Sequence, residues 1–286
     1  MNASAIFSPH RVTIVGALNV TPDSFSDGGR FMRSGVGVNV EAAVRAAEAM
    51  VREGAHVIDV GGESTRPGAA VVPIDDEIAR TIPAIEAIAK RVDTPISIDT
   101  RKASVAEAAI EAGACIVNDV SGLVFDPALA AVAARARTVL IVGHARGTPE
   151  TMQRAPHYDD ILAEVAQELA DRLSFADAEG VATEQLVVDP GIGFGKLAAD
   201  NLALLGCAGE LRRRLGRPVL VGPSRKSFLA AVTAEAVENR DPATWAACAV
   251  AAFAGADAVR VHDVAGAQRA VAVGRAIRDA GVEAAG

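Results

Sequence analysis

The chain has 286 residues, half of them hydrophobic and only 3% aromatic, with a formal charge of −8. That length admits one (β/α)8 barrel, and an interior short of aromatics has to be built from Ala, Val, Ile and Leu, the residues that fill parallel-sheet cores. An acidic balance with no Lys/Arg-rich block excludes a broad nucleic-acid footprint, so an anionic ligand must be held by a few local cations.

Cys115, Cys207 and Cys248 are widely spaced and form no CxxC pair, which argues against a disulfide framework or zinc cluster and for a reducing, cytoplasmic setting. The opening MNASAIFSPHR lacks the basic and apolar segments of a secretory leader. The uncharged run 242–256 is Ala-rich but shorter than the roughly 18 residues a membrane span needs. These features predict a cytosolic, unprocessed protein with no membrane contact.

In chain order, apolar runs occur at 12–18, 56–60, 95–98, 115–118, 138–143, 185–189, 218–222 and 257–261. Between them lie stretches of helical periodicity, among them 40–53, 74–92, 102–112, 158–179, 200–215 and 265–280. Repeated strand-helix units predict an α/β protein, a single (β/α)8 TIM barrel spanning 1–286, with a doubly wound open sheet as the alternative. No linker or compositional shift divides the chain. The first connection, 19–39, is long and rich in Gly and Ser, and 61–73 is similar, so both read as mobile loops over a site, with 146–157 as a third candidate.

Parallel barrels carry their active sites at the C-terminal rim, and each predicted strand ends there in polar residues. They are Asn19; Asp59 followed by Glu63-Ser64-Thr65-Arg66; Asp99; Asn118-Asp119; His144; Asp189; Ser224-Arg225-Lys226-Ser227; and Arg260, His262 and Asp263. One Asp after a strand is ordinarily a turn or helix cap, but polar residues at all eight ends point to a site. Asp99 and Asp189 directly follow apolar runs, where an ionised carboxylate needs a donor, so they suit a ligand rich in N–H groups.

LNVTPDSFSDGG (18–29) joins Asn19 at a strand end to a loop stiffened by Pro22 and bent at Asp27-Gly28-Gly29. GGESTRPG (61–68) offers close backbone approach at Gly61 and Gly62 and a guanidinium fork at Arg66, suited to phosphate. DPGIGFGK (189–196) is glycine-rich without Walker spacing. PSRKS (223–227) falls where the seventh helix should begin, so backbone N–H groups with Lys226 suit an anion, while simple capping by Ser224 is equally compatible. Arg260 and His262, two apart on the last strand, project to one side and suggest an anion clamp. No HExxH, Cys/His cluster or paired-carboxylate signature predicts a protein-caged metal; a magnesium ion carried by substrate phosphates is compatible.

Taken together, LNVTPDSFSDGG, VIDVGGESTRPG, ISIDTRK, IVNDVSG, HARGTPETMQ, VVDPGIGFGK, VGPSRKSF and VRVHDV resemble dihydropteroate synthases along nearly the whole chain. The resemblance implies condensation of a hydroxymethyl-dihydropterin pyrophosphate with para-aminobenzoate, releasing pyrophosphate, in folate biosynthesis. It implies a pterin pocket of Asp99, Asn118, Asp189 and Lys226. A pyrophosphate site would comprise Asn19, Thr65, Arg66, Arg260 and His262, with Asn19 also approaching Mg2+. The aminobenzoate site would comprise Phe25, Thr65, Arg66, Pro67, Lys226 and Ser227, and Asp27 would help order the closed first loop. Asp99, Lys226, Asp27 and Arg66 are thus the implied catalytic residues, in a dissociative reaction with no side-chain nucleophile. A homodimer is implied too, through the Ala-rich final helices.

Gly143 and Ala145 beside His144, and the segment 236–244, depart from the family pattern and bear on sulfonamide sensitivity rather than on the catalytic set. The rival readings are a pterin-dependent methyltransferase, against which PSRKS and the long first loop argue, and a non-catalytic pterin-binding paralogue. His144 receives no role from the sequence.

Overall fold

A computed structural model describes residues 2–8, 10–20, 39–64 and 68–283. The short helix α1 (Ala3–Ile6) precedes strand β1 (Thr13–Asn19), and then strands and helices alternate. They run α2 (Val40–Arg52), β2 (Val57–Gly61), α3 (Ile74–Ala89), β3 (Ile96–Asp99), α4 (Ala103–Glu111), β4 (Ile116–Asp119), α5 (Ala128–Ala136), β5 (Val139–Gly143) and α6 (Ile161–Ala178). The second part continues with β6 (Leu186–Asp189), α7 (Ala198–Gly206), α8 (Ala208–Leu215), β7 (Leu220–Val221), α9 (Ser227–Thr233), α10 (Asp241–Phe253), β8 (Ala258–Val261) and α11 (Val264–Glu283).

All pairings are parallel, in the order β6-β5-β4-β3-β2-β1-β8-β7, and a bridge between Val188 and Val219 joins the two outer strands. The sheet therefore closes into a barrel, which removes the open-sheet alternative.

Strand period two explains how the site is positioned. Val15, Val57, Ile116, Val139, Ile141, Val187, Leu220 and Ala258 point inward and form one apolar cluster with Ala3, Ile6 and Phe7. Helix α1 thus plugs the N-terminal end of the barrel. Asn2 caps it by accepting from Ser4 N at 2.9 Å, and Thr13 Oγ1 donates to Ile6 O at 2.7 Å to tie it to β1. The outward residues, Ile58, Ile98, Val117, Leu140 and Val188 among them, pack in a second cluster under the helices.

Most strands begin one residue later than the apolar runs, and β1, β3 and β4 include the polar residue that follows. Asp99, Asn118 and Gly61 lie in ladder register with one another, because a polar side chain at a rim leaves its backbone free to pair. The predicted helix at 200–215 is two helices, α7 and α8, meeting at Cys207 after Gly206. Helix α6 starts at Ile161 rather than 158, where Asp160 accepts from Ala163 N at 3.0 Å as its cap. Among the described residues, no helix is long and apolar enough to cross a membrane.

Candidate active site

Inward positions two and four residues beyond the apolar layer carry polar groups, and these meet at the C-terminal mouth. Arg260 from β8 is the hub. Its Nε donates to Asp59 Oδ2 at 2.5 Å and its Nη2 to Asp99 Oδ2 at 2.7 Å, while Asn118 Nδ2 donates to Asp59 Oδ2 at 3.1 Å. Asp59 is completely buried, and Asp99 and Asn118 nearly so. Two buried acceptors in this cluster, Asp59 Oδ1 and Asn118 Oδ1, have no hydrogen-bond donor among the described residues. Buried acceptors are normally paired, so this floor is shaped for a partner that brings N–H groups.

Burial raises the Asp99 carboxyl to about 7, although Arg260 opposes the shift. Burial likewise raises Asp189, opposed mainly by Lys226. Lys226 is lowered to about 8 by burial, with Asp189 pulling the other way. Burial opposes the charge on Arg260, yet Asp59 and Asp99 hold it above its ordinary value. Asp99 and Lys226 therefore sit near neutral titration, the condition expected of groups that exchange hydrogen bonds with a ligand.

Asp189 ends β6 and accepts from Gly191 N at 2.7 Å. Lys226 leads into α9; its Nζ donates to Ile192 O and lies 4.4 Å from the centre of the Phe194 ring. Beside this floor, Asn19 Nδ2 lies 3.3 Å from His262 Nε2, and Ser224 Oγ lies 2.9 Å from His262 Nδ1. An amide N–H can only donate, so Nε2 accepts from Asn19 and Nδ1–H donates to Ser224. Ser224 thus orients His262 and is not the cap of α9, whose N-cap position is Lys226.

The structure brings together Asn19, Asp99, Asn118, Asp189, Lys226, Arg260 and His262. Ser227 is exposed at the first turn of α9. Phe25, Asp27, Thr65, Arg66 and Pro67 lie outside the described residues. Arg260, read from sequence as part of an anion clamp, also pairs with Asp59 and Asp99 at the floor of the pocket and so joins the two sets.

Three rim residues have other roles. Asp119 points outward and accepts from Ser121 N, Ser121 Oγ and Leu123 N at 2.8, 2.7 and 2.6 Å, organising its own turn. Asp263 accepts from Trp245 Nε1 at 2.8 Å. Arg225 makes a two-pronged pair with Asp241 at 2.7 and 2.8 Å. Sequence reasoning placed Asp59 at a strand end but left it out of the candidate set. Its register signal was available, since Asp59, two residues after inward Val57, falls on the inward face.

Gly143 has a structural reason. A Cβ there would come within 2.6 Å of Val120 Cα and 2.7 Å of Asp119 O, so β5 can end this close to the β4 turn only with glycine. Near the second loop, Glu63 pairs with Arg101 at 2.5 Å and with Lys102, which also reaches Glu77 and donates to Val72 O at 2.7 Å. This buried network joins both sides of the second loop to the turn after Asp99.

The chain matches the pterin binding enzyme family over residues 15–262. A dihydropteroate synthase from Synechocystis is 47% identical over 259 residues, covering 89% of this chain and 86% of the relative. The Yersinia pestis dihydropteroate synthase, solved with a sulfonamide drug complex, superposes with a TM-score of 0.89 at 38% identity, covering 95% of this chain and 96% of that one. The Xanthomonas albilineans dihydropteroate synthase in complex with 7,8-dihydropteroate gives a TM-score of 0.82 at 39% identity, with 95% of each chain covered. The chain belongs to the dihydropteroate synthase family of pterin binding enzymes.

Proposed function

We propose that the chain condenses 6-hydroxymethyl-7,8-dihydropterin pyrophosphate with para-aminobenzoate to give 7,8-dihydropteroate and pyrophosphate. The observation that carries this reading is the buried floor of Asp59, Asp99, Asn118 and Asp189, with two acceptors lacking donors, beside the cations Lys226 and Arg260. A pterin presents amino and ring N–H groups to such acceptors and a carbonyl and ring nitrogen to Lys226.

In the proposed reaction the bond between the exocyclic methylene carbon and the pyrophosphate oxygen breaks first, and its electron pair leaves with pyrophosphate. Arg260 and His262, with Asn19 beside them, favour that departing charge. The electron-rich pterin, with Asp99 beneath it, stabilises the cation left on the methylene. The aniline nitrogen then attacks and loses its proton. No nucleophilic side chain is needed. Thr65 and Arg66, with both the pyrophosphate and the aminobenzoate, and Phe25, Pro67, Lys226 and Ser227, with the aminobenzoate, complete the assignment, and Asp27 assists closure of the first loop.

Among the described residues, no group of three or more His, Cys, Asp or Glu is arranged to hold a metal. A magnesium ion carried by the substrate phosphates would take the Asn19 amide oxygen as its protein ligand, since the amide nitrogen is engaged with His262. When bound, Mg2+ neutralises charge on the pyrophosphate.

The Yersinia pestis relative, solved with a sulfonamide drug complex, supports reading this chain as a sulfonamide target. Three free cysteines suit a cytoplasmic setting. Val250 and Phe253 on α10 and Val273 and Ile277 on α11 are each more than half exposed, and a homodimer would cover them.

Purified protein supplied with both substrates and Mg2+ should release pyrophosphate only when both are present. Pterin binding without pyrophosphate release would instead identify a non-catalytic binder.

A further inference from the structure

His144, the one polar strand end without a role, lies on the outward face of the barrel, completely buried behind β6. Its Nε2 lies 3.0 Å from Glu168 Oε2 on α6, and its Nδ1 lies 2.9 Å from Lys196 Nζ. Carboxylate and ammonium fix the tautomer: Nε2–H donates to Glu168 and bare Nδ1 accepts from Lys196. Burial agrees, pushing His144 down to about 4.

Lys196 closes the glycine-rich turn that follows Asp189. Its buried ammonium donates to Gly191 O at 3.0 Å and Phe194 O at 2.9 Å as well as to His144. The other carbonyls of the turn are also taken by side chains: Ile192 O by Lys226, Gly193 O by Gln153 at 2.9 Å, and Gly195 O by Tyr158 at 3.1 Å. Every carbonyl from 191 to 195 thus accepts from a side chain, and Lys196 alone satisfies two of them from within. The fit is close. A Cβ at Gly191, where φ is +68°, would collide with the His144 carbonyl, and one at Gly193 would come within 2.9 Å of Lys226 Cδ.

We propose that Lys196 and His144 are positioning residues for the pterin subsite, an internal clamp that fixes the 190–196 turn against β5 and so sets where Asp189 and Lys226 meet the substrate. Neither touches the reacting atoms. The link runs through three named contacts: Gly191 N to Asp189, Ile192 O to Lys226, and the Phe194 ring under the Lys226 ammonium. This assignment rests on the pterin-binding reading of the pocket.

The two ring nitrogens of His144 can be tested separately. His144→Asn keeps an acceptor near the Nδ1 position and gives up the contact with Glu168, whereas His144→Gln keeps the contact with Glu168 and gives up the acceptor for Lys196. Calorimetric titration with 6-hydroxymethylpterin, alongside KM for each substrate and kcat, supplies the readout. H144Q should weaken pterin binding about tenfold and raise the pterin KM more than the aminobenzoate KM, while H144N stays within about threefold of the parent. Lys196→Met should weaken pterin binding at least as much as H144Q; if it does not fold, the His144 pair carries the test. Equal pterin affinities in H144N and H144Q, or an unchanged affinity in K196M, would overturn the clamp while the parent still binds pterin. A parent that binds no pterin would overturn the functional reading, and the clamp with it.

Discussion

At the N-terminal end of the barrel, Ala3, Ile6 and Phe7 fill the space between Val57, Ile116, Val187 and Ala258. Two residues further along the same strands, the inward positions are Asp59, Asn118, Asp189 and Arg260. One register thus supplies both ends, and only side-chain chemistry changes between them. The plugged end contributes apolar burial, whereas the open end holds carboxylates raised by burial beside cations that partly neutralise them. Stability and ligand recognition are thereby assigned to different residues of the same strands, and substitutions should separate them.

The largest separation is expected from Phe7→Ala, which removes a fully buried ring and should cost about 3–5 kcal/mol of stability. Denaturant melts would measure that loss, and kcat/KM per folded molecule should stay unchanged; a matching loss of kcat/KM would show that the two ends are coupled. His144 sharpens the contrast from the other side, because it sits at the rim yet faces outward, contributing to stability and reaching the pocket only through the turn it holds. Its folded form resists protonation until about 4, against 6.5 for the free side chain, so the unfolded chain binds more protons between those values. The contribution of His144 to stability should be fully present above about 6.5 and be lost, by about 3 kcal/mol, as pH drops to about 4, while Asp99, raised to about 7, acts in the opposite direction over the same window. Half-buried His56, also lowered, adds to the same window. The difference in urea midpoint between the parent and H144N isolates the His144 contribution and should shrink as pH drops across that window.

Lys226→Ala comes next, with an expected loss of about tenfold in kcat/KM for both substrates, because one ammonium serves both subsites. Steady-state kinetics with each substrate varied in turn would check it, and a loss confined to one substrate would narrow the role of Lys226. The smallest effect is the pH profile of kcat/KM for the pterin substrate. It should fall below about 7, as Asp99 takes up a proton and one of its acceptor oxygens becomes a donor, and above about 8, as Lys226 loses the proton it donates.

The strands were legible because each is an apolar run closed by a polar residue, and the inward polar ends were legible for the same reason, whereas their assignment to a pterin came only from the family resemblance. Asp99, Asn118 and Asp189 follow directly on such runs and face inward by simple alternation. Adjacent polar residues were harder to tell apart. Asn118 and Asp119 look alike in sequence, yet the pleat turns one into the pocket and the other into a turn of its own. The pairing of Arg260 with Asp59 and Asp99 joins residues 201 and 161 positions apart, and depends on strand order around a closed sheet. Lys196 and Glu168 escaped notice, and His144 was visible as a strand end but without a role, for a related reason: their cluster lies between β5, the β6 turn and α6, and no local pattern marks three elements that meet only in the fold. Helix α1, four residues long, carries too little periodicity to be read, although its burial closes the barrel.

The most direct test of the pocket is calorimetric titration of 6-hydroxymethylpterin into the parent and the Asp99→Asn variant, with a thermal melt of each. Asn replaces one buried acceptor oxygen by a donor with little change of shape. The expected result is a loss of about a hundredfold in pterin affinity with the melting temperature nearly unchanged. Equal affinities in the two proteins would contradict the assignment of the β3, β4 and β6 rim as the pterin floor.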